Sequence, residues 1–168
     1  LEPYGSTRKC SIHFLHGDMN EGQMAALYTH PKVKALVDLG HSEGFGLGAF
    51  EAVCQGLPVV TCAYSGRCDY IFMPDRKNKG KNKCMIQQVS YDIGNVQPEA
   101  VWQDVILADS QWAFPKEWHA KAQMRDVYQN YGTAKSRALK LQTHALEQFN
   151  DDKIYAQFAD AIVEDFPT

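Results

Sequence analysis

Glu43 and Glu51 are two carboxylates with seven residues between them, and the stretch they bracket holds Gly44, Gly46 and Gly48. Carboxylates accept hydrogen bonds from vicinal hydroxyl groups, while a glycine-rich turn opening a helix offers free backbone N–H groups to phosphate or sugar oxygens. Helical side chains lean toward the amino terminus, so Glu51 in the first turns of a helix starting near Leu47 is expected to reach the mouth that Glu43 borders. The floor of that mouth is expected to be backbone N–H from Phe45, Gly46 and Leu47. A ligand rich in both hydroxyl and phosphate oxygens is a nucleotide sugar.

Such a loop needs a strand on either side. The apolar runs Val33 to Leu39 and Leu57 to Cys62 are short and bounded by Gly or Pro, and both read as buried parallel strands. In an open α/β sheet the carboxyl ends of strands are the ligand edge. Gly56 fits the position just past a helix end, and Pro58 opens the next strand. Tyr64-Ser65-Gly66 makes a second turn at the same edge, with a short helix expected over Arg67 to Phe72. Upstream, Cys10 to Gly17 reads as a strand with His13 and His16 on opposite faces, which disfavours a shared metal site. Asn20 caps a helix carrying Met24, Ala25, Leu27 and Tyr28, and Pro31 stops it.

Downstream, Arg76 to Lys83 places five positive charges in eight residues with no apolar side chain. It reads as a solvated, mobile loop, or as an anion-facing loop touching a membrane surface or a polyanionic acceptor. Helices are then expected from Pro98 (with Val101, Trp102, Val105 and Ile106), and from Pro115 to a stop at Gly132. Another is expected through Leu139, Leu141, Leu146 and Phe149, and a last one from Asp151 or Asp152 with Ile154, Tyr155, Phe158, Ala161 and Ile162 on its apolar face. Trp102, Trp112 and Trp118 read as core or helix-packing residues rather than base-stacking platforms, since no basic groove accompanies them. The fold class is α/β, a Rossmann-like parallel sheet flanked by helices with a helical C-terminal part. It is one domain over residues 1–168, with a motif-bearing core at 10–71 and a helical part at 98–168.

The net charge of −3 gives no global reason to expect nucleic acid as a partner. No apolar run reaches the roughly 20 residues of a membrane span, and the five cysteines lack a Cys-x-x-Cys pair. Thiols used as small apolar residues in a reducing compartment, hence a cytoplasmic location, are the expectation.

The run His41 to Val60 resembles the signature of retaining GT-B-fold glycosyltransferases, especially glycosyltransferase family 4, in which a Glu-Gly-Phe-Gly loop opens a Glu-x7-Glu motif. Gly56-Leu57-Pro58-Val59-Val60 matches the strand that follows, Phe14-Leu15-His16-Gly17 resembles the strand and turn before it, and Ser65-Gly66 stands where the family has a Gly-Gly turn. The resemblance implies a carboxyl-terminal donor-binding domain. Glu43 would lie against the transferred sugar as the catalytic residue. Gly44, Phe45, Gly46 and Leu47, with Ser65 and Gly66, would hold donor oxygens. Glu51 would accept ribose hydroxyls, and the loop after Gly17 would lie near the nucleobase.

It also implies a nucleotide-diphosphate sugar as donor substrate, no cofactor and no obligatory metal. The acceptor would be a glycan, lipid or small molecule, bound by an amino-terminal domain that this chain lacks. The diphosphate-binding Arg and Lys of the family come from a segment before Leu1, so the piece alone is expected to be inactive. Two other readings remain open: a nucleotide-sugar-binding or epimerase-like relative without transferase activity, and an NAD-type oxidoreductase. The latter rests on the loose G-x-G-x-x-A match at Gly44 to Ala49, which intervening His41, Ser42 and Glu43 disfavour.

Overall fold

The computed structural model describes residues 10–165; residues 1–9 and 166–168 of the expected single domain lie outside the described residues. In chain order the elements are α1 (Glu21–Thr29), β1 (Leu36–Asp38), α2 (Leu47–Cys54), β2 (Val59–Cys62), α3 (Cys68–Ile71), β3 (Phe72–Pro74), β4 (Asn82–Cys84), β5 (Gln87–Val89), β6 (Tyr91–Asn95), β7 (Gln111–Pro115), α4 (Glu117–Gln129), α5 (Tyr131–Gln148) and α6 (Asp151–Asp165). β1, β2 and β5 form a parallel sheet in the order β1-β2-β5, with Val37 opposite Val60 and Cys62 opposite Val89. This is the expected Rossmann-like sheet flanked by helices.

The central strand is buried along its whole length, because it packs helices on both faces. Val59 belongs to a cluster with Ala52 and Val53 of α2, Tyr70 and Ile71 of α3, and Leu141 of α5. Val60 and Cys62 face the other way, into Val89, Ala120 and Val127, which brings α4 onto the opposite face. β1 is one of the two edge strands, and Val37 is exposed.

Local chemistry sets the ends of the helices that frame the site. Asn20 and Gln23 form a reciprocal capping box, each backbone N–H donating to the other's side chain at 2.9 Å. His30, before Pro31, is extended and ends α1. The carboxyl end of α2 is capped from α5: Lys135 Nζ donates to the Gly56 carbonyl at 2.6 Å, and Gln142 Nε2 to that of Cys54 at 2.8 Å. These bonds satisfy carbonyls the helix leaves free and place a cation at its negative end.

Several expectations are corrected. Cys10 to Gly17 is irregular and exposed, with Phe14 and Leu15 in solvent, so the alternation of its side chains is not matched by a ladder partner. The basic run is solvated along its length, as expected, but it is not an isolated loop. It is the turn of the β3–β4 hairpin and runs into β4, pinned where Asp75 accepts from the Lys77 N–H at 2.9 Å and from Asn78 Nδ2 at 2.8 Å.

Helix from Pro98 is limited to one 3-10 turn, Pro98–Ala100. Trp102 and Ile106 then close a tight bridge, and residues 91–115 as a whole form the β6–β7 hairpin, so the helical part begins at Glu117 rather than at 98. Pro115 ends β7 instead of opening a helix. Trp102 and Trp118 are exposed, not packed, and so are Ile154, Tyr155, Phe158 and Ile162 along α6.

Gly132 is not a stop. The chain breaks at Asn130 (φ −118°, ψ 36°), and Gly132 lies in the first turn of α5 with nothing within 4 Å of a Cβ built on it. Gly132→Ala is therefore expected to raise stability by about 0.5–1 kcal/mol in urea denaturation, because alanine fits a helix and restricts the unfolded chain. A residue needed to terminate the helix would give a loss instead.

Candidate functional site

Two turns interlock at the carboxyl edge of the sheet. The Gly66 N–H donates to the Gly44 carbonyl at 2.9 Å, and a Cβ at Gly66 would stand 2.0 Å from that oxygen, a separation no side chain tolerates. Gly46 takes a left-handed conformation (φ 79°) where a Cβ would lie 3.1 Å from both Arg67 Cγ and the Tyr70 hydroxyl. That hydroxyl donates to the Gly46 carbonyl at 3.0 Å. Ser65 also has a left-handed φ of 56°.

The bent loop delivers α2 with its amino terminus open. No side chain caps it, and Phe50 N–H donates to the Gly46 carbonyl at 3.0 Å. Helix geometry leaves the N–H groups of Leu47, Gly48 and Ala49 without intrahelical acceptors, so Gly48 and Ala49 add to the donors expected at this turn. A cleft of about 360 Å³ opens there, lined by Leu36, Val37, Asp38, Leu39, Glu43, Gly46, Gly48 and Ala49.

The expected site residues divide. Glu43 and Gly46 line the cleft together, and Glu43 is exposed to a ligand. Gly44 and Gly66 join the two turns and do not line it. Phe45 turns its ring into the core against Phe50, Tyr70 and Phe149, at centroid distances of 5.0, 5.1 and 5.7 Å. Leu47 carries its exposed side chain away from the core.

Glu51 is not part of the cleft lining; its Oε2 accepts from the Tyr28 hydroxyl at 3.3 Å, beside Gly48. Burial, and then the Glu51 carboxylate, push the Tyr28 pKa up. Gly17 lies in the exposed segment before α1 and does not line the cleft.

Three side chains escaped the sequence reading. Asp38 ends β1 and lines the cleft, and Arg67 is wholly buried with its Nη2 2.8 Å from Asp38 Oδ2. Tyr70 anchors the Gly46 turn from below. Arg67 carried a signal, since a lone cation between a glycine turn and an apolar helix has to find a buried partner. His41, at the start of the loop, is gripped by the β6–β7 hairpin: the Ala113 N–H donates to its carbonyl at 3.2 Å, and its ring packs on Phe114 at 4.6 Å.

A parallel sheet flanked by helices, whose carboxyl edge carries a glycine loop, an open helix start and carboxylates, defines a Rossmann-like domain with a cleft at its strand ends. A family model described as Family 4 Glycosyltransferase in conflict systems matches residues 19–157, and the chain belongs to that family of glycosyltransferases. Comparison with curated proteins and with solved structures gave no match. As a glycosyltransferase domain the chain implies a sugar donor and an acceptor.

Burial pushes the Tyr70 pKa well above its ordinary value of about 10, against the lowering effect of Arg67. A folded-state value above the unfolded one means that the stability tied to neutral Tyr70 is complete below about pH 10 and is lost as pH rises from there. Tyr70→Phe is expected to cost about 1 kcal/mol at neutral pH through the lost bond to Gly46, and to flatten the alkaline part of the stability curve. Denaturation melts from pH 7 to 11 check this; parallel curves for the two proteins would contradict it.

Proposed function

We propose that the chain is the donor-binding part of a retaining glycosyltransferase of GT-B architecture, moving a sugar from a nucleotide-diphosphate sugar to an acceptor. The observation that carries the reading is the open amino terminus of α2, aimed at a cleft that Glu43 borders. Free N–H groups and the positive end of the helix dipole suit the donor's diphosphate and the charge that builds on it as the glycosidic bond breaks. Glu43 is placed to meet the transferred sugar. Glu51, held by Tyr28 one turn along the same helix, is placed to accept ribose hydroxyls outside the cleft proper.

The acceptor-binding surface belongs, on this reading, to a separate amino-terminal domain. The acceptor is a glycan, lipid or small molecule. The cationic β3–β4 turn is a candidate for peripheral contact with an anionic surface, since Arg76, Lys77, Lys79, Lys81 and Lys83 are all exposed on it.

Hydrogen bonds to a charged acceptor contribute roughly 1.5–3 kcal/mol, so Glu51→Ala should weaken donor binding roughly 10- to 100-fold. Titrating UDP-glucose, GDP-mannose and ADP-glucose into wild-type and variant protein measures this. A variant that binds every accepted donor as tightly as wild type would remove the ribose contact from the account.

A further inference from the structure

Asp38 and Glu43, rather than Glu43 and Glu51, are the carboxylates that share the cleft. A Cβ built on Gly40 would lie 3.3 Å from Asp38 Oδ1 and 3.6 Å from Glu43 Cγ, so the two acids flank one small space at the end of β1. Asp38 is held from two sides. Its Oδ1 accepts from the Gly40 N–H at 3.0 Å and its Oδ2 from Arg67 Nη2 at 2.8 Å, while the side chain keeps 24% of its surface exposed. A carboxylate has about four lone-pair sites, so acceptor capacity is left for a ligand.

Arg67 is fully buried and donates from Nη1 to the Gly40 carbonyl at 3.3 Å. Its buried Nε has no acceptor among the described residues. Such a cation is costly unless it is paired. Pairing it with a half-open carboxylate at a ligand edge fixes that carboxylate without covering it.

We propose that Asp38 contacts the transferred sugar beside Glu43 and selects uncharged, hydroxyl-rich sugars, with Arg67 as the positioning residue that fixes it. This rests on the donor-site reading above. Two acceptor-only groups reward sugar hydroxyls and repel a sugar carboxylate, so a hexuronate donor is disfavoured by like charge as well as by lost donors. Asp38 does not serve the diphosphate, because an anion there would oppose it.

The test measures dissociation constants for UDP-glucose, GDP-mannose, ADP-glucose and UDP-glucuronate, and for UDP, GDP and ADP. The proteins are wild type, Asp38→Asn, Arg67→Lys and the double variant Asp38→Asn/Arg67→Met, which leaves no unpaired buried charge and so guards against misfolding. Wild type is expected to prefer UDP-glucose to UDP-glucuronate.

Asp38→Asn and the double variant should weaken the accepted hexose conjugate roughly 10- to 100-fold and narrow that preference, leaving the matching nucleoside diphosphate within about twofold. Arg67→Lys should lower the ratio of hexose-conjugate to diphosphate affinity, a ratio that a purely structural role would not move. Equal losses for conjugate and diphosphate, or undiminished binding of the conjugate, would overturn the assignment of Asp38 while leaving the donor site standing. A wild-type chain that binds no sugar nucleotide would overturn both.

Discussion

The hydrogen bond from the Gly66 N–H to the Gly44 carbonyl is the contact on which the site's shape depends. It joins the turn after β1 to the turn after β2, two strands already parallel and adjacent, at the edge where they end. The approach is so close that no side chain at Gly66 could be accommodated. With the two turns locked, the Gly46 bend has only the space left by Arg67 and Tyr70, and α2 must leave it in one direction. The open helix terminus is therefore a consequence of how the two turns pack, with the Arg67 and Tyr70 side chains bounding the bend.

The remaining contacts hold α2 in place. Lys135 and Gln142 tie its carboxyl end to α5, Phe45 and Phe50 pack tilted and edge-on against Tyr70 and Phe149 on its buried side, and Tyr28 reaches Glu51 from α1. One short helix is thus fixed by helices and strands around it while the N–H groups of its first turn stay free. A rigid frame around an unsatisfied helix start is the arrangement expected where an anion binds without reorganisation of the protein.

Local signals carried much of this fold. Asn20 before α1, the apolar run ending at Cys62, and Gly56 after α2 each state a boundary in a few residues, and the structure places the boundaries there. The segment 98–115 misled because Val101, Trp102, Val105 and Ile106 have helical spacing, yet the chain around them is held by cross-strand pairs such as Gly94 with Trp112, which no local window contains. Pro115 sits opposite Tyr91 at the end of a ladder, a place that tolerates a missing N–H as well as a helix start does. At the site, the glycine loop and Glu43 were legible. The Asp38–Arg67 pair was not, because its members lie 29 residues apart and only the sheet's parallel register brings them together.

The central claim is that donor oxygens meet the backbone at the start of α2. Backbone amide resonances of the chain, followed by NMR during titration with the sugar nucleotide it binds, report on that contact directly. The account predicts that the largest shifts fall on the amides of Leu47, Gly48 and Ala49, with smaller ones at Gly40 and Glu43. Shifts centred instead on the apolar groove of about 420 Å³ between β1 and α4, around Val37, Met124 and Tyr128, would contradict it.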